Sequence, residues 1–299
     1  MSRRVVYVSI SGVLLALTIG LFAIFGSEGQ NREFQPQNEF KLDDWIPIHI
    51  GSVNMSINKA VLYVWLATAI TVFALVYIAK RMQDRPNRVQ AAVETIYDLT
   101  YRNITRGNMD EGMALKWFPF IGALFLWILF SNLLGYIPLP TNSLEKFNIF
   151  GAEVPGFAIY AATANISIPL VLTLVVWISY HVEGIRAKGF IPYLRSWIPA
   201  GVPKAARAPL FVIEVISHFV RLISLTVRLF ANILAGHLLI LFMGGGLVVL
   251  LGDAFIGPVT IVPAIAFFLF EVVLIAGLQA YIYATLTAIY LGGAVAESH

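Results

Sequence analysis

Cysteine is absent from the 299 residues, which excludes disulfides and thiolate metal sites. Charge is scarce: Asp, Glu, Lys and Arg make up 12% of the chain, against roughly 25% in an average soluble domain, while 59% is hydrophobic. A water-soluble chain of this size needs a polar surface that such a composition does not supply. Catalytic signatures are missing too. The five histidines, His49, His181, His218, His237 and His299, form no H-E-x-x-H, no G-x-S-x-G is present, and no G-x-x-x-x-G-K-[ST] loop offers to hold a nucleotide phosphate. A net charge of +3 is too small for a nucleic-acid surface, and no period of roughly 20–50 residues marks a solenoid.

What the chain does have is long apolar runs, at about 5–25, 60–79, 117–137, 159–181, 210–251 and 255–292, most as long as the ~20 residues a helix needs to cross a bilayer. The pattern predicts an all-α integral membrane protein of five to six hydrophobic helices. Residues 1–26 read either as a retained helix or as a signal peptide, because Arg3 and Arg4 precede an apolar stretch ending near Gly26 and Ser27. Residues 27–59 follow as an extracytoplasmic segment, and 60–299 as the membrane domain. Between the second and third runs, Val89, Ala92, Val93, Ile96, Leu99 and Ile104 recur at helical spacing among charges, which predicts an amphipathic surface helix over about 86–106, begun by Pro86. Basic residues fix the orientation. Segments 80–116 and 182–209 hold most of the Lys and Arg outside the membrane, whereas 138–158 holds only Lys146 and 252–258 none, so the basic loops belong on the cytoplasmic side.

Four charges remain that no loop accommodates: Glu214, Arg221, Arg228 and Glu271. An ionisable group at the bilayer centre costs at least ~2.5 kcal/mol, so it persists where it faces protein or water and usually serves a purpose. On a helical wheel Glu214, Ser217, His218, Arg221, Ser224, Arg228 and Asn232 fall within about 120° of one another. For any one of them a neutralised structural network competes with function, and for Arg221 the structural reading, pairing with Glu214 or with lipid phosphate, is favoured. The run from Leu210 to Met243 would be ~51 Å long as one helix and Ala264 to Leu291 ~42 Å, both more than the bilayer requires. They predict a tilted hairpin over about 210–292, turning at Asp253 to Pro258, that follows the curved side of a partner. The triplet Gly244-Gly245-Gly246 reads as close packing or a bend. A secondary transporter with an intramembrane charged site is the rival reading, but it calls for two related halves with matching helix interruptions.

At Ser224-Leu-Thr-Val-Arg228-Leu-Phe-Ala-Asn232-Ile-Leu-Ala-Gly236-His237 the sequence resembles subunit a of the F-type ATP synthases, whose hallmark is an R-L-F-x-N-x-x-A-G run. The similarity extends to Leu278-Gln279-Ala280-Tyr281-Ile282-Tyr283 and, more loosely, to Phe130-Ser-Asn132-Leu-Leu-Gly135-Tyr-Ile-Pro138, covering about 40–295. The resemblance implies a non-catalytic, proton-conducting stator subunit in a bacterial inner membrane rather than an organellar one. Its implied partners are a ring of c subunits packed on the hairpin, the peripheral-stalk subunit b and the rest of the complex, with no cofactor and no metal. Arg228 matches the essential arginine facing the ring carboxylates, and Asn232 and Gln279 match its polar neighbours. His237 and Glu271 resemble a glutamate–histidine pair with the two residues exchanged, and Glu214 and Ser217 resemble groups lining an aqueous half-channel. His218, Arg221, Ser224 and Asn165 are further candidates. There are departures. Asn165 stands where the family often has an aspartate, and Arg221 lies outside the basic motif. Glu271 precedes Gln279 by eight residues where seven are expected, which turns it by about 100° unless a π-bulge absorbs the surplus.

Overall fold

The computed structural model describes residues 40–51, 53–83, 87–149, 152–198, 201–243 and 256–296. Residues 1–26, Pro86, the glycine triplet and Asp253 lie outside them. Among the described residues, five helices are long and apolar enough to cross a membrane: Lys59–Arg81 (α1), Glu111–Leu134 (α3), Ser167–Lys188 (α4), Lys204–Leu241 (α6) and the continuous span Val262–Val295. The chain is a multi-pass, all-α membrane protein.

Local chemistry starts and stops these helices. Asn58, Asn87 and Asp110 each precede a helix in extended conformation, and their side chains accept the backbone N–H of Val61, Gln90 and Met113, supplying a donor site that the first turn otherwise leaves unmatched. Lys80 and Arg81 close α1, favourably placed against the helix dipole. The amphipathic helix Arg88–Asp98 (α2) continues as a π-helical stretch, Leu99–Thr105, before the turn into α3. At Gly189, φ of +85° reverses the chain between α4 and the short helix Phe190–Arg195 (α5), a conformation that favours glycine.

Several boundaries differ from the sequence reading. The apolar run at 159–181 becomes helical only from Ser167; before it Ala162–Ala164 form a single 3-10 turn. The long helix starts at Lys204 and passes through Pro209, giving 38 residues or ~57 Å. Ile256 to Pro258 already belong to the next helix, Ile256–Phe270 (α7), so they are not part of the turn. Outside the spans the described residues form two small antiparallel ribbons, His49–Ile50 (β1) with Val53–Asn54 (β2), and Leu139–Ile149 (β3) with Ala152–Ala158 (β4).

The last span is built from α7, a π-helical turn Glu271–Ile275, and Ala276–Val295 (α8). Along α8, Ala276, Ala280, Ala284 and Ala288 recur every fourth residue and are all buried. A stripe of methyl groups lets neighbouring helices approach closely, the device that replaces the hydrophobic effect inside lipid. The main core packs Ile121, Phe125 and Ile128 of α3 with Val176 of α4, Leu225, Leu229 and Ile233 of α6, and Tyr283 and Leu291 of α8. Lys116 of α3 and Glu183 of α4 form an ion pair beside it.

Candidate functional site

The polar stripe of α6 divides in two. At its start Glu214 and His218, one turn apart, approach to 3.8 Å, and Arg221, two turns on, donates to Glu214 at 3.2 Å. The Arg221 guanidinium also sits 5.6 Å from the centre of the Tyr290 ring of α8. Glu214, His218 and Arg221 together border a cavity of about 460 Å³ that also meets Tyr180, Tyr193 and Trp197. A space of this size bordered by charged and hydroxyl groups has room for water. The pairing of Arg221 with Glu214 is the structural role expected for it. Ser217 lies half-buried on the same helix.

Farther along, the same stripe emerges from its neighbours. Ser224, Arg228 and Asn232 are exposed on the outer surface of the chain. Arg228 makes no hydrogen bond or salt bridge with any described residue. Farther round α6, Val220, Ile223 and Val227 are also exposed, as are Val273, Leu274 and Leu278 of the last span. A guanidinium set in an apolar surface of this extent is a feature that isolated surface leucines and valines do not make.

The second cluster forms where α6 meets the last span. The π-helical turn opens at Glu271, so the surplus residue between Glu271 and Gln279 is taken up there and both side chains are buried. Tyr136, just beyond α3, donates its hydroxyl to Glu271 Oε2 at 3.0 Å. Gly236 of α6 lies directly over the carboxyl group, and a Cβ at that position would fall on it. Next to it His237, wholly buried, has Nδ1 2.9 Å from the Ile233 carbonyl and Nε2 3.0 Å from the Gly135 carbonyl, with its ring 4.6 Å from that of Tyr136. A neutral imidazole can donate to only one of these carbonyls. Gly135 is required as well, since a side chain there would meet both Ala161 and the His237 ring.

Among residues outside the candidate set, Asn132 is buried, accepts a hydrogen bond from Thr163 at 2.7 Å and donates to the Ala276 carbonyl at 3.3 Å, fastening α3 to the end of the π turn. It lies in the Phe130–Pro138 stretch of the sequence, as does Tyr136. Asn165 accepts the Ser167 N–H at 3.0 Å and so begins α4. The structure thus brings Glu271, Gly236 and His237 together and Glu214, His218 and Arg221 together, while Arg228 and Asn232 face outward. Among the described residues no three His, Asp or Glu side chains converge to hold a metal ion.

Comparison with known proteins follows this geometry. Residues 61–292 match the family described as ATP synthase A chain. The chain is 36% identical over 252 residues to the ATP synthase subunit a of Rubrobacter xylanophilus, covering 82% of this chain and 87% of that one. It is 35% identical over 284 residues to that of Frankia alni (91% and 87%), and 35% identical over 265 residues to that of Paramagnetospirillum magneticum (87% and 98%).

Proposed function

The chain belongs to the ATP synthase A chain family, and from that premise we propose that Arg228 is the fixed cation against which a ring of carboxylate-bearing subunits turns. The chain is the proton-translocating stator subunit of the membrane sector and catalyses no reaction on its own. The observation that carries the proposal is the exposure of Arg228 beside exposed apolar residues, with no hydrogen bond or salt bridge to any described residue.

The physical reasoning runs through the cost of charge in hydrocarbon. A carboxylate on a moving ring can pass through lipid only when protonated. Beside a guanidinium, which keeps its protons and so cannot carry one away, the ionised form is stabilised at one place. The ring therefore releases its proton on one side of Arg228 and takes one up on the other, driven by ~2.3 kcal/mol per charge for each 100 mV. Asn232, one turn beyond Arg228, and Ser224, one turn before it, complete the polar line on that face, and buried Gln279 belongs to the packed side of the last span.

Two paths reach this face. The Glu214 cavity, with Ser217, serves the side of the basic loops, which we place in the cytoplasm of a bacterium. Glu271 and His237 serve the opposite side. His237 has a carbonyl acceptor in place for each N–H bond, so taking up a second proton completes its contacts rather than breaking them. Residues 27–59 then lie outside the cytoplasm, and stalk subunit b has its place elsewhere on the bundle.

Because the chain has no cysteine, a single introduced thiol is diagnostic of the ring interface. Val227→Cys, beside Arg228, is expected to form a disulfide with a cysteine placed next to the ring carboxylate, whereas Phe73→Cys on α1 is not. Cross-linking at Phe73 with none at Val227 would place the ring elsewhere.

A further inference from the structure

Where α4, α5 and α6 meet, imidazole and aromatic rings gather behind the Glu214 cavity. The His181 ring of α4 lies 4.8 Å from the His218 ring of α6, and Trp197 stands 4.5 Å from His218. Each histidine is held through the same nitrogen by a tyrosine hydroxyl: His181 Nδ1 by Tyr193 of α5 at 2.7 Å, and His218 Nδ1 by Tyr180 of α4 at 3.0 Å. The opposite nitrogen, Nε2, is buried in both rings and has no hydrogen-bond partner among the described residues. Packing alone does not account for this, because a buried polar group normally finds a partner and each exception calls for water, an ion or a chemical role. His218 is also 6% exposed, faces the cavity, and presents its free Nε2 3.8 Å from Glu214 Oε1. That gap is too long for a hydrogen bond, and one water or a small swing of the carboxylate closes it.

We propose that His181 and His218 form a two-imidazole proton-loading site that supplies Glu214. The proposal rests on the reading of Glu214 as a half-channel group. A proton arriving from the cavity water is held on one imidazole of the pair. His218 then passes its Nε2 proton to the Glu214 carboxylate, which turns an imidazolium and a carboxylate into a neutral imidazole and a carboxylic acid; the next proton from water reloads the pair. Tyr180 and Tyr193 suit this cycle because a phenol either donates or accepts, so it follows each change of tautomer by turning its O–H. Burial pushes the Tyr193 hydroxyl up from its ordinary value, so it remains a neutral hydrogen-bonding group. The charged and titratable groups around the pair are Glu214 and Arg221 on α6, Tyr180 on α4, Tyr193 on α5 and Tyr290 on α8, with Lys188 at the cavity edge. Arg221 donates to Glu214 at 3.2 Å and so holds the carboxylate in place beside the pair.

The test uses the whole complex in liposomes with its ATP-hydrolysing head outward, which exposes the basic-loop side to the medium. His181→Gln and His218→Gln should each slow ATP-driven proton pumping by roughly tenfold, less than the ~10²–10⁴ of a sole proton-transfer group because water shares the route. The double variant should be no slower than the slower single one, as expected of one shared site. Added 4-methylimidazole should restore part of the flux to both single variants, a response that a packing role does not give. Tyr193→Phe, which keeps the ring and removes the hydroxyl, should slow pumping as well, and tests the site should a histidine variant fail to assemble. Pumping within twofold of the parent in all three variants, or a loss that imidazole leaves untouched while His181→Phe pumps normally, overturns the proposal. Arg228→Ala separates the levels: if it pumps, the reading of the path itself fails, whereas if it is silent while the histidine variants are unaffected, only the loading site fails.

Discussion

In vesicles carrying Arg228→Ala, ATP-driven proton pumping should fall to background, a loss of at least about 100-fold, while the complex still assembles. Both halves of that result follow from the position of the side chain. Leu225 and Leu229, on either side of Arg228 along α6, are buried in the core, whereas Arg228 is exposed and bound to no described residue. Removing it leaves the packing of this chain as it is. What disappears, on the proposed role, is the charge that would make ionisation of a ring carboxylate tolerable inside the bilayer. Arg228→Lys should be impaired as well, since an ammonium is a compact charge that loses its proton readily when desolvated and has no planar fork to present to a carboxylate. The measurement is quenching of an acid-sensitive dye on adding ATP, with the amount of assembled complex checked by gel. Pumping above a tenth of the parental rate in an assembled Arg228→Ala complex would remove Arg228 from the mechanism.

Gly236→Ala is expected to lower proton flux about as strongly as Glu271→Gln, by roughly tenfold to 100-fold, with little loss of assembly. The added methyl falls on the Glu271 carboxyl group, the far end of a flexible side chain, so the strain is relieved by moving that group rather than the backbone. Glu271 then leaves Tyr136, the partner that fixes Oε2 at 3.0 Å. Gly135→Ala makes an instructive contrast. Its methyl would meet the Ala161 backbone as well as the His237 ring, so that substitution should cost stability through overpacking, ~1–3 kcal/mol, and reduce the amount of complex recovered. Parental flux in assembled Gly236→Ala would mean that the position of the Glu271 carboxylate is immaterial to transport.

Much of this was legible in the sequence because the relevant signals are local. The helical spans follow from runs of apolar residues, and the pairing of Glu214 with Arg221 follows from two residues spaced by two turns of one helix. The eight-residue interval between Glu271 and Gln279 even named the alternative that the structure adopts, a π-helical turn beginning at Glu271. The family assignment set aside the secondary-transporter reading. What stayed hidden depends on chain segments far apart. Tyr136 and Glu271 are 135 residues apart, Asn132 and Ala276 are 144 apart, and His237 and Gly135 are 102 apart. No periodicity reports such contacts. His181 escaped for a related reason: it sits on a different helix from the polar stripe and carries no charged neighbour in sequence apart from Glu183. Helix wheels also treat one stripe as one environment, although its first half is covered by α4 and α5 and its second half is bare.

The wide turn at Glu271–Ile275 makes the last span two rods of independent phase. Ala276–Val295 is keyed to the bundle by its ladder of alanines and by the Asn132 clasp on Ala276, so its rotation about its own axis is fixed. Upstream, Ile256–Phe270 runs with its phase offset by the extra residue of the π turn, and Glu271 stands at the seam. A coupling between two shafts tolerates misalignment in the same way, and here the joint coincides with the carboxylate proposed to exchange the proton.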